Sequence, residues 1–93
     1  MDVDGHRTPD APRTGDADVA QALERVQLRL GAIVAALRDR TDWSQDEVAR
    51  RAGVHPVTVR RIEKTTANPR LSSILSIAWV LGAELEITVR PRR

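Results

Sequence analysis

The chain reads as an all-α protein, a bundle of four to five short helices that ends in a β-strand. Three observations carry that reading. From Ala17 to Arg40 apolar residues recur every third or fourth position, the period of one helix face. From Trp43 to Lys64 a serine, a glycine and a His-Pro pair punctuate two brief helical stretches. After Leu71 an apolar run gives way to strict alternation from Glu84 to Arg90, which is the period of a strand.

Residues 1–16, MDVDGHRTPDAPRTGD, read as a disordered acidic leader. Met1, Val3 and Ala11 among Gly, Pro, Asp, Thr and Arg bury too little surface to offset the entropy of ordering. The helical domain is expected over residues 17–82. In its first helix Val19, Ala22, Leu23, Val26, Leu30, Ile33, Val34 and Leu37 form the apolar stripe. Asp16 or Asp18 suits the positive end of that helix, and Arg38 and Arg40 suit the negative end. Gly31 interrupts good helix formers, marking a kink or a close helix crossing.

The second helix opens on a capping box. Ser44 can accept from the N–H of Glu47, whose carboxylate can reach back to the N–H of Ser44. Trp43 and Val48 flank it as a hydrophobic staple. Gly53 can take positive φ and turn the chain. The third helix starts at His55-Pro56, where proline loses no intrahelical hydrogen bond. Val59 and Ile62 face inward, leaving Val57, Thr58, Arg60, Arg61 and Lys64 on the other sides.

Residues 44–64 thus form two helices about a tight turn, an arrangement that can lay a helix in the DNA major groove. The stretch resembles the lambda-repressor/Cro-like, or XRE, family of helix-turn-helix regulators. The resemblance rests on Ser44-Gln45, Ala49, Gly53-Val54, Ile62-Glu63, Asn68-Pro69 and Leu81-Gly82 in that order, and it covers roughly residues 26–82. Relative to that family, residues 17–25 are an extension of the first helix, able to lengthen the core or to supply a partner interface.

After the third helix, Asn68-Pro69 signals a turn. Leu71, Ile74, Leu75, Ile77, Ala78, Val80 and Leu81 make a helix apolar nearly all round, expected at the centre of the bundle, with Trp79 in its core or, alternatively, at a dimer contact. Gly82 ends it. Residues 83–93 are expected to form a strand and a basic tip. Leu85, Ile87 and Val89 share one face, and the strand has no sheet of its own to join. Pairing across a two-fold axis with a second copy supplies the missing edge, which makes those three residues the expected dimer interface; the alternative is a short extension folded over the chain's own helices. A C-terminal strand in this place resembles antitoxin-type regulators of the HipB and HigA groups.

The resemblance implies sequence-specific binding of double-stranded DNA by a homodimeric repressor at a palindromic operator. A narrower version is an antitoxin that also holds a protein toxin, and a different class is an adaptor that binds protein alone. The residues expected to meet DNA are Gln45, His55, Pro56, Val57, Thr58, Arg60, Arg61, Lys64, Thr66 and Arg70. By resemblance, Gln45 meets a phosphate and braces the next helix. Val57 can pack on a thymine methyl, Thr58 can bond a base edge or phosphate, and Arg61 and Arg60 can each offer two donors to guanine. Arg70, helped by Thr65 and Thr66, is the expected backbone anchor. Pro56 departs from the family, because many relatives place a polar base-reading side chain there.

Composition narrows the alternatives. Without cysteine there is neither disulfide nor thiolate chemistry. Tyr and Phe are absent as well, so stacking on single-stranded bases is poorly supported. No apolar run reaches the roughly 18 residues of a membrane span, and a cytoplasmic protein is expected. Residues 1–18 carry −3 and the remainder +5, with arginine as fourteen of the fifteen basic side chains. Arginine suits bidentate contacts to phosphate and guanine. His6 and His55 are the only histidines, and no glycine-rich phosphate loop or metal-spaced cluster occurs. Neither catalysis, nor a metal, nor a cofactor is expected.

Overall fold

The computed structural model describes residues 16–66 and 68–92. The expected leader lies outside the described residues, except for Asp16. Four helices are described: α1 (Asp16–Asp39), α2 (Gln45–Ala52), α3 (Pro56–Glu63) and α4 (Leu71–Val80). α2 packs on both α3 and α4, and α1 packs on α3.

Local chemistry fixes the ends of the short helices. The Ser44 hydroxyl accepts from the Glu47 N–H at 3.0 Å. The reciprocal half of the capping box gives way, because the Glu47 carboxylate turns to Arg50 and Arg51 instead. Gly53, at φ 73°, closes α2, with Val54 N–H donating to Ala49 at 3.0 Å and Gly53 N–H to Arg50 at 3.3 Å. That pair of bonds is a Schellman closure, and Gly82 ends α4 with the same pattern at φ 81°. α3 closes this way too, but its left-handed residue is Thr65, at φ 61°.

The core is small and aliphatic. Val34 of α1, Val48 and Ala49 of α2, Val59 and Ile62 of α3 and Ile77 of α4 are buried. Leu30, Trp43, Ala52, Val54, Val80 and Leu81 pack around them. Gly31 marks a close crossing. A Cβ built there would lie 2.5 Å from the carbonyl oxygen of Ile62 and 3.0 Å from the Thr65 methyl. The backbones of α1 and the end of α3 meet where only hydrogen fits.

Two expectations about packing are corrected. α4 is not central: Leu71, Leu75 and Trp79 are 53%, 46% and 71% exposed. With Ile77 fully buried, the step of about 100° per residue turns Trp79 roughly 200° away from the core. α1 likewise uses only part of its stripe. Leu30 and Val34 reach the core, whereas Val19, Val26 and Ile33 are half or more exposed.

Neither a fifth helix nor a strand occurs among the described residues. Residues 83–92 carry neither helix nor strand. The alternating pattern alone cannot make a strand, since every backbone edge needs a partner and no other strand occurs among the described residues.

Candidate nucleic-acid interface

The third helix is held at both ends and pressed inward at its middle. His55 caps it, with Nδ1 accepting from the Val57 N–H at 3.1 Å, and Pro56 occupies the first turn. The accepting Nδ1 leaves Nε2 to carry the imidazole proton. Burial of Val59 and Ile62 sets the rotation of the helix. Val57 and Lys64 then fall on the side opposite the core, with Arg60 and Arg61 to either side of them and Thr58 nearer the core on the Arg61 side.

One carboxylate ties α3 to the rest of the molecule. Glu63 receives Arg38 in a two-pronged pair, Nε to Oε2 at 2.7 Å and Nη2 to Oε1 at 3.0 Å. The Gln45 amide donates to the same Oε1 at 2.9 Å, and Arg38 Nη1 donates to the Trp43 carbonyl at 3.2 Å. The Glu63 and Arg38 side chains are only 9% and 21% exposed. Burial pushes the Glu63 carboxyl up, but the hydrogen bonds from Arg38 and Gln45 outweigh it and hold the carboxyl below its ordinary range. The same pairing raises Arg38. α1, α2 and α3 are clamped at one point.

Sequence reading assigned Arg38 to the helix dipole and missed this clamp. The signal was present: Leu30, Val34 and Arg38 lie four apart on one face, and Val59 and Glu63 do the same. A stripe that ends in opposite charges on two helices implies that those charges meet.

Beside α3 lies a polar concavity of about 310 Å³ lined by Val57, Thr58, Arg61, Thr66, Asn68, Pro69, Arg70 and Ser73. It gathers five of the expected contact residues from α3, the following loop and the start of α4. Arg61 and Arg70 are exposed, and neither guanidinium has an ion-pair partner among the described residues. The Arg61 carbonyl, by contrast, is engaged, accepting from the Thr66 N–H at 2.9 Å and its hydroxyl at 3.4 Å. No side chain caps α4 after Arg70.

The other expected residues lie outside that concavity. Gln45 braces α3 through Glu63. His55 and Pro56 form the leading end of α3, and Lys64 its exposed trailing end. Arg60 leans the other way, with Nη1 3.1 Å from Asp46 Oδ1 at the start of α2. Nearby, the Arg50 and then the Arg51 guanidinium hold the half-buried Glu47 carboxyl below its usual range. Arg51 also covers the Trp43 ring at 4.0 Å.

A second, apolar groove of about 720 Å³ shares no lining residue with the first. Ala52, Leu75, Trp79, Val80 and Leu85 supply its apolar walls, with Arg51 and Glu84 at its edge. Of the expected dimer residues, Leu85 is half-buried in this groove, while Ile87 and Val89 are 67% and 84% exposed beyond it. Among the described residues no group of three or more His, Cys, Asp or Glu side chains can hold a metal ion. No described helix is long and apolar enough to cross a membrane.

Comparison with known proteins agrees with this geometry. A family model described as a helix-turn-helix domain matches residues 29–88. Antitoxin HigA1 of Mycobacterium tuberculosis strain CDC 1551 / Oshkosh is 39% identical over 61 residues, and so is that of strain ATCC 25618 / H37Rv. In each case the match covers 66% of this chain and 41% of the relative, so the chain spans well under half the length of those proteins. With α2, the Gly53 turn and α3 falling inside the matched range, the chain belongs to the helix-turn-helix domain family and is similar to XRE-like regulators of the HigA kind.

Proposed function

We propose that the chain is a sequence-specific, double-stranded DNA-binding transcriptional regulator, a repressor that binds a palindromic operator as a homodimer. The observation that carries this reading is the convergence of Val57, Thr58, Arg61, Thr66 and Arg70 on one polar concavity beside a helix clamped from behind by Glu63. α3 enters the major groove. Arg61 offers two donors to guanine O6 and N7, Val57 meets a thymine methyl, and Thr58 bonds a base edge or phosphate. Arg70, Thr66, Lys64 and Gln45 hold the backbone and fix the register. Pro56 places no donor at the helix start, so readout shifts to Arg61 and Val57. Rigid support matters because misplacing a bidentate donor forfeits its discrimination between bases.

The second copy docks through the apolar groove and the segment that carries Leu85, Ile87 and Val89. Two α3 helices then address half-sites about 34 Å apart, and an occupied operator excludes the transcription machinery. The similarity to HigA1 antitoxins supports a narrower reading, in which the protein also holds a toxin and represses its own operon. The exposed Val19, Leu23 and Val26 on α1 give such a partner an apolar face.

Selection of the purified chain against random duplex DNA tests the proposal. Enrichment of an inverted repeat, with guanine preference lost in Arg61→Ala, is the expected result. Failure to retain any duplex at low salt overturns the regulator in favour of an adaptor that binds protein alone.

A further inference from the structure

Arg60 and Arg61 are neighbours in sequence but stand in different electrostatic settings. Arg61 opens onto the polar concavity with no ion-pair partner among the described residues. Arg60 lies on the opposite flank, 44% exposed, with Nη1 3.1 Å from Asp46 Oδ1. Asp46 is itself 73% exposed and shares only this ion pair among the described residues, since Glu47 beside it is taken up by Arg50 and Arg51.

We propose that Asp46 is a built-in brake on nucleic-acid affinity, an internal counter-charge that occupies Arg60 and sets a carboxylate beside the phosphate path. This rests on the duplex-binding reading above. Asp46 stands in the first turn of α2, next to Gln45. A carboxylate there suits the positive end of the helix, so it supports the fold. The same amide-rich end attracts phosphate, so it also competes with DNA for that position. The pair has one contact between two exposed groups, and such pairs are weak and screened by salt. A phosphate can draw Arg60 away, but Asp46 remains and repels it. The interface therefore binds as though it had one cation fewer than its arginines suggest, and Arg61 is the arginine engaged without hindrance.

The test is a salt titration of the full chain on a labelled duplex of random sequence. Wild type is compared with Asp46→Asn, Arg60→Ala and the double variant, with thermal melts to establish that each is folded. Asp46→Asn is expected to tighten binding about fivefold at low salt, the factor for one unit-charge contact in a water-like dielectric. Its log–log salt slope is expected to steepen by about 0.9, one additional phosphate neutralised. Arg60→Ala is expected to weaken binding more beside Asp46→Asn than in wild type, and the double variant is expected to lose the added slope. A merely structural pair would shift the melts and leave the slope alone.

Equal affinity and slope in wild type and Asp46→Asn, with duplex binding intact, overturn the brake and spare the regulator. So does an Arg60→Ala loss as large in wild type as beside Asp46→Asn, because Arg60 would then already be engaged. Absence of duplex binding by all four chains overturns both readings.

Discussion

Two regions of this small molecule handle their surplus surface in opposite ways. From Trp43 to Thr66, charges other than Arg61 and Lys64 are paired, helix ends are closed and the apolar side chains that point inward are covered. Along the first half of α1, the outer face of α4 and the C-terminal segment, large apolar side chains stand in the open. Val26, Trp79 and Val89 are 59%, 71% and 84% exposed. Contiguous apolar exposure is uncommon on a surface that works alone. The first region is finished by its own chain, and the second is left open by it.

The strongest way to break that contrast is to unfasten the finished region. Arg38→Ala leaves the Glu63 carboxylate nearly buried with only Gln45 to satisfy it, and is expected to cost about 2–4 kcal/mol by urea unfolding. Acid should do the same gradually. The folded Glu63 carboxyl is held below its ordinary range. Its contribution is therefore complete above the unfolded value of about 4.3 and is lost as pH falls through the folded value. The urea midpoint of wild type should decline below that range, and Glu63→Gln should decline less steeply. Equal slopes in the two proteins would remove the clamp from the account.

Next in size is Gly31→Ala. Helix propensity alone favours alanine by about 1 kcal/mol. The added methyl, however, meets the Ile62 carbonyl oxygen at 2.5 Å, and backbone cannot move aside as a side chain can. Overpacking of this kind costs about 1–3 kcal/mol, so net destabilisation is expected, with looser DNA retention because α3 is displaced. A stabilised variant would mean that the two helices separate without penalty.

What could be read from the sequence divides along the same line as the two regions. The Ser44 cap, the Gly53 turn and the His55-Pro56 start are set by neighbours within four residues, and they stand in the structure as local chemistry demands. So does the inward pairing of Val59 with Ile62. Arg70, Thr65 and Thr66 are expected at the DNA backbone from their place around Asn68-Pro69, but that Thr66 and Arg70 share one concavity with Arg61 is not set by any local rule, since none brings a loop back beside a helix. Where the reading stopped, the missing information was non-local. Arg38 and Glu63 are 25 residues apart, and only the crossing at Gly31 brings them together. Composition alone puts Trp79 inside, because an apolar helix has no polar side to orient it. The burial of Ile77 decides the matter, and that depends on α2. The alternation of residues 84–90 describes what a strand needs and says nothing about whether a partner edge is present.

A smaller effect sharpens the contrast from within the finished region, where the closure of α3 differs from those of α2 and α4. Gly53 and Gly82 take the left-handed position of their Schellman ends, whereas α3 places Thr65 there, a β-branched residue at φ 61°. Such a conformation costs about 1–2 kcal/mol in residues with a Cβ. Thr65 recovers part of that through its methyl, which sits against Gly31. Thr65→Gly is therefore expected to raise stability by a net of about 0.5–1 kcal/mol, seen as a higher melting temperature. A lower one would show that the methyl contact outweighs the backbone strain.

The smallest effect on folding belongs to the open region and tests whether it is a contact surface at all. Trp79 touches little of its own chain, so Trp79→Gln should change the unfolding free energy of the dilute monomer by no more than about 0.5 kcal/mol. If a second copy covers Leu75, Trp79 and Leu85, association adds stability that grows with concentration, by mass action. The wild-type melting temperature should then rise on concentrating the protein, and that of Trp79→Gln should stay nearly fixed. The same variant should lose the dimer in light scattering while keeping its helical circular dichroism. Should both proteins melt alike at every concentration and scatter as monomers, the exposed tryptophan has no role in self-association. The apolar face of α1 would then be the remaining surface for a partner, and the two regions would differ only in how well they are packed.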